Sequence, residues 1–590
     1  MRLADALVTT LRDWDLGYVF GVSGANIEHL HDAIHRLGGD RLRSVMARRE
    51  DGAAFMADGR ARVHRTLGVC CATSGGGMVN LLTGLAESYA ESVPVLALIG
   101  QPPRELEGRG AFQDSSGIGR TVDALGLLRA TTKRVAKIED PADFWPELHA
   151  AVVTALTGRP GPVALLLPRD VYDLSVGPRP ADWPVDLERL AAPPPVAREV
   201  VRPLFEALRT ARRPALLVGH GVRRSGAAGE VTAFARRAGV PVVATMGARG
   251  EFPNDDPLFL GVAGVTGHPS AHAYLKESDL VVAVGTGLGV MTRGPLDLAS
   301  ARLAVVNIDP GEAVRATAPG IVVEADAGAA FAALLALLEA EPFTAPAPEG
   351  YELRRYRPRP APPTAREHRE QEVRTAGDTL RQSEAIGQLE EYLPRGGHIV
   401  LDAGNCASAA IHLSHVPEAA SSTIALGMGG MGYSIAAAIG AQLGSADGTR
   451  TVVLCGDGAF LMNGFEVHTA VAERLPVLYV VFNNNMHGMC VTRQQTFFDS
   501  RLECVEYPTL DVATVAYGLG GPDRLWVGSA GTADELRGLL ADYHDHHAHL
   551  PGVLELRLPV EEVPPFTAFL PADEPTYVAR RRVDSRVLTG

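Results

Sequence analysis

Cys455-Gly456-Asp457-Gly458-Ala459-Phe460, answered by Asn483-Asn484-Asn485, is the stretch on which the fold turns. The apolar run Thr451 to Leu454 reads as a buried strand that delivers a Gly-Asp-Gly turn to its carboxyl end. A helical stretch follows, then a second apolar strand, Val477 to Phe482, that ends in amides. Such a βαβ unit places Asp457 and Asn484 at the tips of two parallel strands, where open α/β sheets hold ligands. A carboxylate, an amide oxygen and free backbone suit Mg²⁺, which takes a few protein oxygens and fills its shell with phosphate oxygens. The same residues also serve plain turn chemistry, so this motif alone leaves two readings open.

A second signal lies about four hundred residues upstream, in Ala47-Arg48-Arg49-Glu50-Asp51-Gly52-Ala53-Ala54-Phe55-Met56. It reads as a helix start with Glu50 in the first turn, where a carboxylate complements the helix dipole. Enclosure by Phe55 and Met56 would push the Glu50 carboxyl up, a state suited to proton exchange near neutral pH.

Together the two motifs resemble those of thiamine diphosphate (ThDP) enzymes, and the nearest family is their acetohydroxyacid synthase-like branch. Phe20-Gly21-Val22-Ser23-Gly24-Ala25 is similar to its first glycine turn. Ala72-Thr73-Ser74-Gly75-Gly76-Gly77 and Ala111-Phe112-Gln113-Asp114 are similar to its second and third. Leu426-Gly427-Met428-Gly429-Gly430-Met431-Gly432 resembles the segment whose bulky residue bends the cofactor. The resemblance implies that Glu50 hydrogen-bonds the aminopyrimidine ring and helps it take the proton from the thiazolium carbon. It implies that Met431 supports the bend and that the Gly429 carbonyl accepts from the pyrimidine amino group. Mg²⁺ would be held by Asp457, Asn484 and the Met486 carbonyl. Gly404, Asn405 and Cys406 would cradle the diphosphate, as helix starts hold anions. Ser74, Gly458, Ala459, Gly488 and Met489 complete the expected cofactor contacts, and Ala25, Asn26, Phe112, Gln113 and Arg493 the expected substrate contacts.

The composition agrees with a large α/β enzyme. At 590 residues the chain is long for one domain, and 46% hydrophobic content with 63 glycines suits alternating strands and helices. A net charge of −14 argues against a nucleic-acid partner. Only Lys133, Lys137 and Lys276 are lysines, which disfavours Schiff-base chemistry. Cys70, Cys71, Cys406, Cys455, Cys490 and Cys504 follow neither zinc-site nor Cys-x-x-Cys spacing, so reduced thiols are expected. Met1 to Leu7 reads as an amphipathic helix with an early acid rather than a signal peptide. No apolar run approaches the ~20 residues that span a bilayer. A cytoplasmic protein without a membrane partner is the expectation.

Three doubly wound parallel-sheet domains are predicted. A pyrimidine-binding unit spans 1–176, with strands Leu67–Ala72, Val93–Ile99 and Val163–Leu167. A central nucleotide-type unit spans 196–341, with strands Ala215–Val218, Pro241–Thr245, Leu280–Val284 and Leu303–Ile308. A linker, 342–383, carries Arg354-Arg355-Tyr356-Arg357-Pro358-Arg359 and reads as surface chain. The diphosphate-binding unit spans 384–566 and ends on strand Gly552–Leu558; a tail, 567–590, reads as a solvated end or a lid. Gly219-His220-Gly221 is a weak phosphate-turn signal. FAD-holding family members have an Asp-Arg segment where this chain has Gly285-Thr286-Gly287-Leu288-Gly289-Val290-Met291-Thr292-Arg293, so FAD is not expected.

The implied activity is decarboxylation of a 2-oxo acid, pyruvate being the first choice, and transfer of its acyl-anion equivalent to a carbonyl acceptor. Decarboxylases of the pyruvate type carry histidines where this chain has Phe112-Gln113-Asp114. Gln113 donates and accepts but does not shuttle protons, which favours ligation over protonation. Two departures bear on the acceptor: Met291 stands where a cation is expected, and the run Gly488 to Gln495 lacks the expected tryptophan. Arg493 reads either as the grip on an acidic acceptor or as a surface arginine. His487 is the nearest titratable group to the metal loop and a candidate for proton transfer. Acetolactate synthesis proper, simple decarboxylation and a catalytically silent regulatory homologue stay open as alternatives. The working unit is expected to be a homodimer or homotetramer.

Overall fold

The computed structural model describes residues 1–296, 298, 302–364, 379–559 and 561–579. Residues 365–378 of the expected linker and 580–590 of the expected tail lie outside these. Three six-stranded sheets, each parallel throughout, follow one another along the chain. The first holds β1 (Gly17–Gly21), β2 (Leu42–Met46), β3 (Gly68–Ala72), β4 (Val95–Gln101), β5 (Arg134–Lys137) and β6 (Val163–Pro168). The second holds β7 (Pro214–Val218), β8 (Val242–Thr245), β9 (Phe259–Ala263), β10 (Leu280–Val284), β11 (Arg302–Asn307) and β12 (Ile321–Glu324). After β13 (Arg354–Tyr356), the third holds β14 (His398–Leu401), β15 (Ser421–Ile424), β16 (Thr451–Gly456), β17 (Val477–Asn483), β18 (Trp526–Ala530) and β19 (Gly552–Arg557). The predicted strands match these to within a residue or two at their ends.

Strand order explains where ligands can enter. The first sheet runs β2-β1-β3-β4-β6-β5 and the third runs β15-β14-β16-β17-β19-β18. Counted from each domain's own start, the two orders are the same. Each changes direction between its first and third strands, which opens a crevice at their carboxyl ends. The middle sheet, β12-β11-β10-β7-β8-β9, has the Rossmann order. Strands β4 and β6 are buried along their whole length, as helices on both faces of a parallel sheet require.

The linker departs from expectation. Its Arg-rich stretch is not plain surface chain: β13 pairs antiparallel with β20 (Thr576–Val578) of the tail. Arg355 is buried, and its guanidinium lies 3.4 Å from the His415 ring. The tail through Ala579 is therefore built into the fold rather than solvated. Two short segments more than two hundred residues apart stabilise each other, and local periodicity carries no trace of such a pairing.

First and third domains pack through two helices, Glu50–His64 and Tyr433–Gln442. Glycines let them touch: a Cβ on Gly59 would lie 2.2 Å from the Ala437 carbonyl oxygen, and one on Gly440 1.8 Å from that of Met56. Beside this crossing sits a buried ionic cluster. Arg62 meets Asp58 at 2.6 Å, Glu91 at 3.2 Å and Glu87 at 3.3 Å, and donates to the Ile424 carbonyl at 3.2 Å. Tyr433 and Ser88 complete Asp58 at 2.6 and 2.8 Å. Arg62→Met would remove the guanidinium that pairs with three buried carboxylates, Asp58, Glu87 and Glu91. We expect it to destabilise the protein by about 3–5 kcal/mol, read as a lower thermal midpoint. Among the described residues no helix is long and apolar enough to cross a membrane.

Candidate active site

The third-domain crevice gathers most of the residues singled out in the sequence. Gly404, Asn405 and Cys406 follow β14, and Asp457 follows β16, so they flank the point where the strand order reverses. Asp457 is 2% exposed; it accepts N–H bonds from Gly458 at 2.8 Å and Asn485 at 2.6 Å. Burial pushes its carboxyl up to about 6, against the pull of hydrogen bonds from Tyr507, Gly458 and Asn485. Asn484 begins the loop after β17, and its Oδ1 accepts the Met486 N–H at 3.1 Å. The Met486 carbonyl accepts the Gly488 N–H at 3.0 Å, at the start of helix Gly488–Phe497. Gly458 lets Met431 and His487 converge, since a Cβ there would lie 2.7 Å from Met431 Cε and 2.9 Å from His487 Nδ1. Ala459 is buried in the helix that Asp457 begins, while Met489 is half-buried.

Several carboxylates that sequence reading passed over organise this crevice. Asp402, fully buried, accepts from the N–H groups of Gly432 and Ser434, each at 2.9 Å, and from the Ser434 hydroxyl at 2.7 Å. Glu87 of the first domain accepts from Gly427 N–H at 3.2 Å and Met428 N–H at 2.7 Å. The segment carrying Gly429 and Met431 is thus held at both ends. Glu561, from the chain after β19, accepts from Asn405 Nδ2 at 3.0 Å and from Asn484 Nδ2. Each partner is a backbone amide or a distant side chain, so no local motif announced them.

The first-domain crevice holds the second cluster. Asn26, after β1, donates to the Ser74 hydroxyl at 2.7 Å, and Thr73 donates to Gln113 Oε1 at 3.2 Å. Gln113 has φ 58°, a left-handed conformation, and Phe112 beside it is 79% exposed. Ala25 is exposed at the same rim. Glu50 heads its helix as predicted, but Phe55 and Met56 do not enclose it. They turn into the core one helical turn on, and Glu50, half-buried, accepts from Asn80 Nδ2 at 2.9 Å. Its other oxygen lies 3.2 Å from the place a Cβ on Gly77 would take. Arg493 is exposed on helix Gly488–Phe497, and Met291 is 41% exposed in the middle domain.

The donor sets fit the groups they were expected to hold. The third-domain cluster offers a carboxylate, an amide oxygen and a backbone carbonyl to a hard cation. Among the described residues, Asn405 Oδ1, Asn463 Oδ1 and His487 Nδ1 are buried there without a hydrogen-bond partner, the state a polar ligand would relieve. Gly404 and Gly429 take φ 121° and 65°, and a Cβ at either would meet nothing within 4 Å.

Comparison with known proteins agrees with this geometry. Residues 1–118 match "Thiamine pyrophosphate enzyme, N-terminal TPP binding domain", 201–334 match the family's "central domain", and 402–550 its "C-terminal TPP binding domain". A probable acetolactate synthase large subunit of Methanocaldococcus jannaschii is 31% identical over 506 residues, covering 85% of this chain and 83% of its own. The acetolactate synthase large subunit of Corynebacterium glutamicum is 31% identical over 546 residues, covering 88% and 82%. The acetolactate synthase isozyme 2 large subunit of Escherichia coli is 30% identical over 528 residues, covering 88% and 90%. The chain belongs to the thiamine pyrophosphate enzyme family. Within it, this is a ThDP-dependent carboligase of the acetolactate synthase-like branch, a transferase or lyase by reaction type.

Proposed function

We propose that the enzyme removes CO₂ from a 2-oxo acid, pyruvate in the first instance, and joins the remaining acyl unit to a carbonyl acceptor. The observation that carries this reading is the pair of switch-point crevices, one presenting Glu50 and Gln113, the other Asp457, Asn484 and Met431. Bound ThDP supplies the carbon nucleophile and the electron sink for decarboxylation. The chain's own residues then have separable tasks. Asp457, Asn484 and the Met486 carbonyl would hold Mg²⁺, Gly404, Asn405 and Cys406 would take the diphosphate, and Met431 would pack against the cofactor. Glu50 holds and passes a proton at the aminopyrimidine nitrogen. Gln113 orients a substrate oxygen through its amide and offers no proton, so capture by an acceptor outpaces protonation. Arg493 is the cation an acidic acceptor would meet.

Glu50 faces Asn80 and Gly77 of its own domain, which supports sites shared between copies of the chain. Met428, Leu461, Met462 and Phe465 flank the third-domain cluster and Phe112 the first, and each is at least half exposed. A two-fold pair covering both patches would build two equal sites from one interface. The middle domain is read as a spacer without flavin. Its two glycine turns pack directly together, Gly221 N–H on the Gly285 carbonyl at 2.9 Å, and Arg159 of the first domain bridges to Glu312 at 2.6 Å across the crevice rim. The test is incubation with pyruvate and a panel of aldehydes and 2-oxo acids, followed by mass spectrometry. We expect an adduct heavier than its acceptor by the acyl unit and one proton; free aldehyde as the sole product would favour simple decarboxylation instead.

A further inference from the structure

Glu466 is used by none of the roles above, yet it is 1% exposed and carries a carboxylate to a domain boundary. It ends the turn that follows helix Asp457–Asn463 in the third domain. One oxygen accepts the backbone N–H groups of Arg48 at 2.9 Å and Arg49 at 3.0 Å; the other accepts the Thr469 hydroxyl at 2.8 Å. Arg48 and Arg49 are the two residues before Glu50, and Arg49 provides no side-chain cap to its helix. Glu466 therefore meets the positive end of the 15-residue Glu50–His64 helix from another domain, where a carboxylate is stabilising. Gly52 leaves it room, since a Cβ there would lie 2.3 Å from Glu466 Oε1. Burial raises the carboxyl's proton affinity, while Thr469 and the two amides draw it back toward the charged form.

We propose that Glu466 is a positioning residue for Glu50, fixing the helix end from which Glu50 projects. The inference rests on reading Glu50 as the group that passes a proton at the cofactor. It adds that one run, Asp457 to Glu466, both supplies the metal ligand and clamps the Glu50 helix of its own chain. In a pair of copies with shared sites, that run touches both sites.

The test uses full-length Glu466→Ala, Glu466→Asp and Glu466→Gln proteins, loaded with saturating ThDP and Mg²⁺. Deuterium exchange at the thiazolium carbon of bound ThDP is followed by NMR after acid quench, beside ThDP affinity and thermal midpoint. Glu466→Gln keeps an oxygen for both amides and should exchange close to the parent rate. Glu466→Asp withdraws the carboxylate by one methylene and Glu466→Ala removes it. Both should slow exchange about tenfold to a hundredfold, as small misplacements of a reacting group do, with ThDP affinity near the parent value. A folded, ThDP-loaded Glu466→Asp protein that exchanges at the parent rate overturns the proposal, even where Glu466→Ala does not fold. Glu50→Gln is run alongside to separate the two ideas. Parental exchange in Glu50→Gln removes the underlying reading of Glu50; slow exchange there with parental exchange in Glu466→Asp removes the positioning role alone.

Discussion

Glu50→Gln protein is expected to bind ThDP and Mg²⁺ normally while losing activity by about 10²–10⁴-fold, the usual worth of a general acid or base. The expectation follows from where the residue sits. Glu50 is half-buried at a helix start and bound to one amide, Asn80, through one oxygen. Glutamine matches its size and can still hydrogen-bond at that place, so folding and cofactor loading should be spared. What it removes is the carboxyl's capacity to take up and release a proton. Deuterium exchange at the thiazolium carbon should slow in parallel with turnover. Normal exchange with lost turnover would move Glu50's role to a later step, and normal turnover would remove it from the mechanism.

Much of this was legible in the sequence because parallel sheets write themselves plainly. Thr451–Gly456 and Val477–Asn483 are continuous apolar runs ended by Gly, Asp and Asn, and strands buried on both faces read that way. The site residues at their tips came with them, since Asp457 and Asn484 are fixed by strand ends. What stayed hidden depends on distance along the chain. Asp402 and Glu87 hold the two ends of the Met431 segment, and Glu561 reaches Asn405 and Asn484 from beyond the last strand. Buried carboxylates paired with backbone amides leave no periodicity to read. The pairing of Arg354–Tyr356 with Thr576–Val578 failed for the same reason. Glu50 shows the converse error: Phe55 and Met56 are neighbours in sequence, but on a helix they face the core while Glu50 faces the crevice.

Asp457→Ala protein is expected to lose Mg²⁺-dependent ThDP loading altogether, because it removes the acidic ligand proposed to balance the cation. Equilibrium dialysis or fluorescence quenching with ThDP, with and without chelator, measures this directly; unchanged, chelator-insensitive binding would contradict the site. Loading of the parent enzyme should also weaken as pH falls below about 6, since burial has raised the Asp457 carboxyl to that value and a proton there excludes the cation. The variant has a second use. Glu50→Gln and Asp457→Ala are each expected to be inactive alone, for different reasons and through different domains. If Glu50 of one copy works with Asp457 of its partner, a mixed pair carries both lesions in one site and neither in the other. Mixing the two proteins under conditions that exchange subunits should then restore up to about a quarter of parental activity, since half the pairs are mixed and half their sites intact. Demonstrated exchange with no recovery would mean that each chain builds its site alone, and that the apolar surface around Met428 and Phe465 serves some other contact.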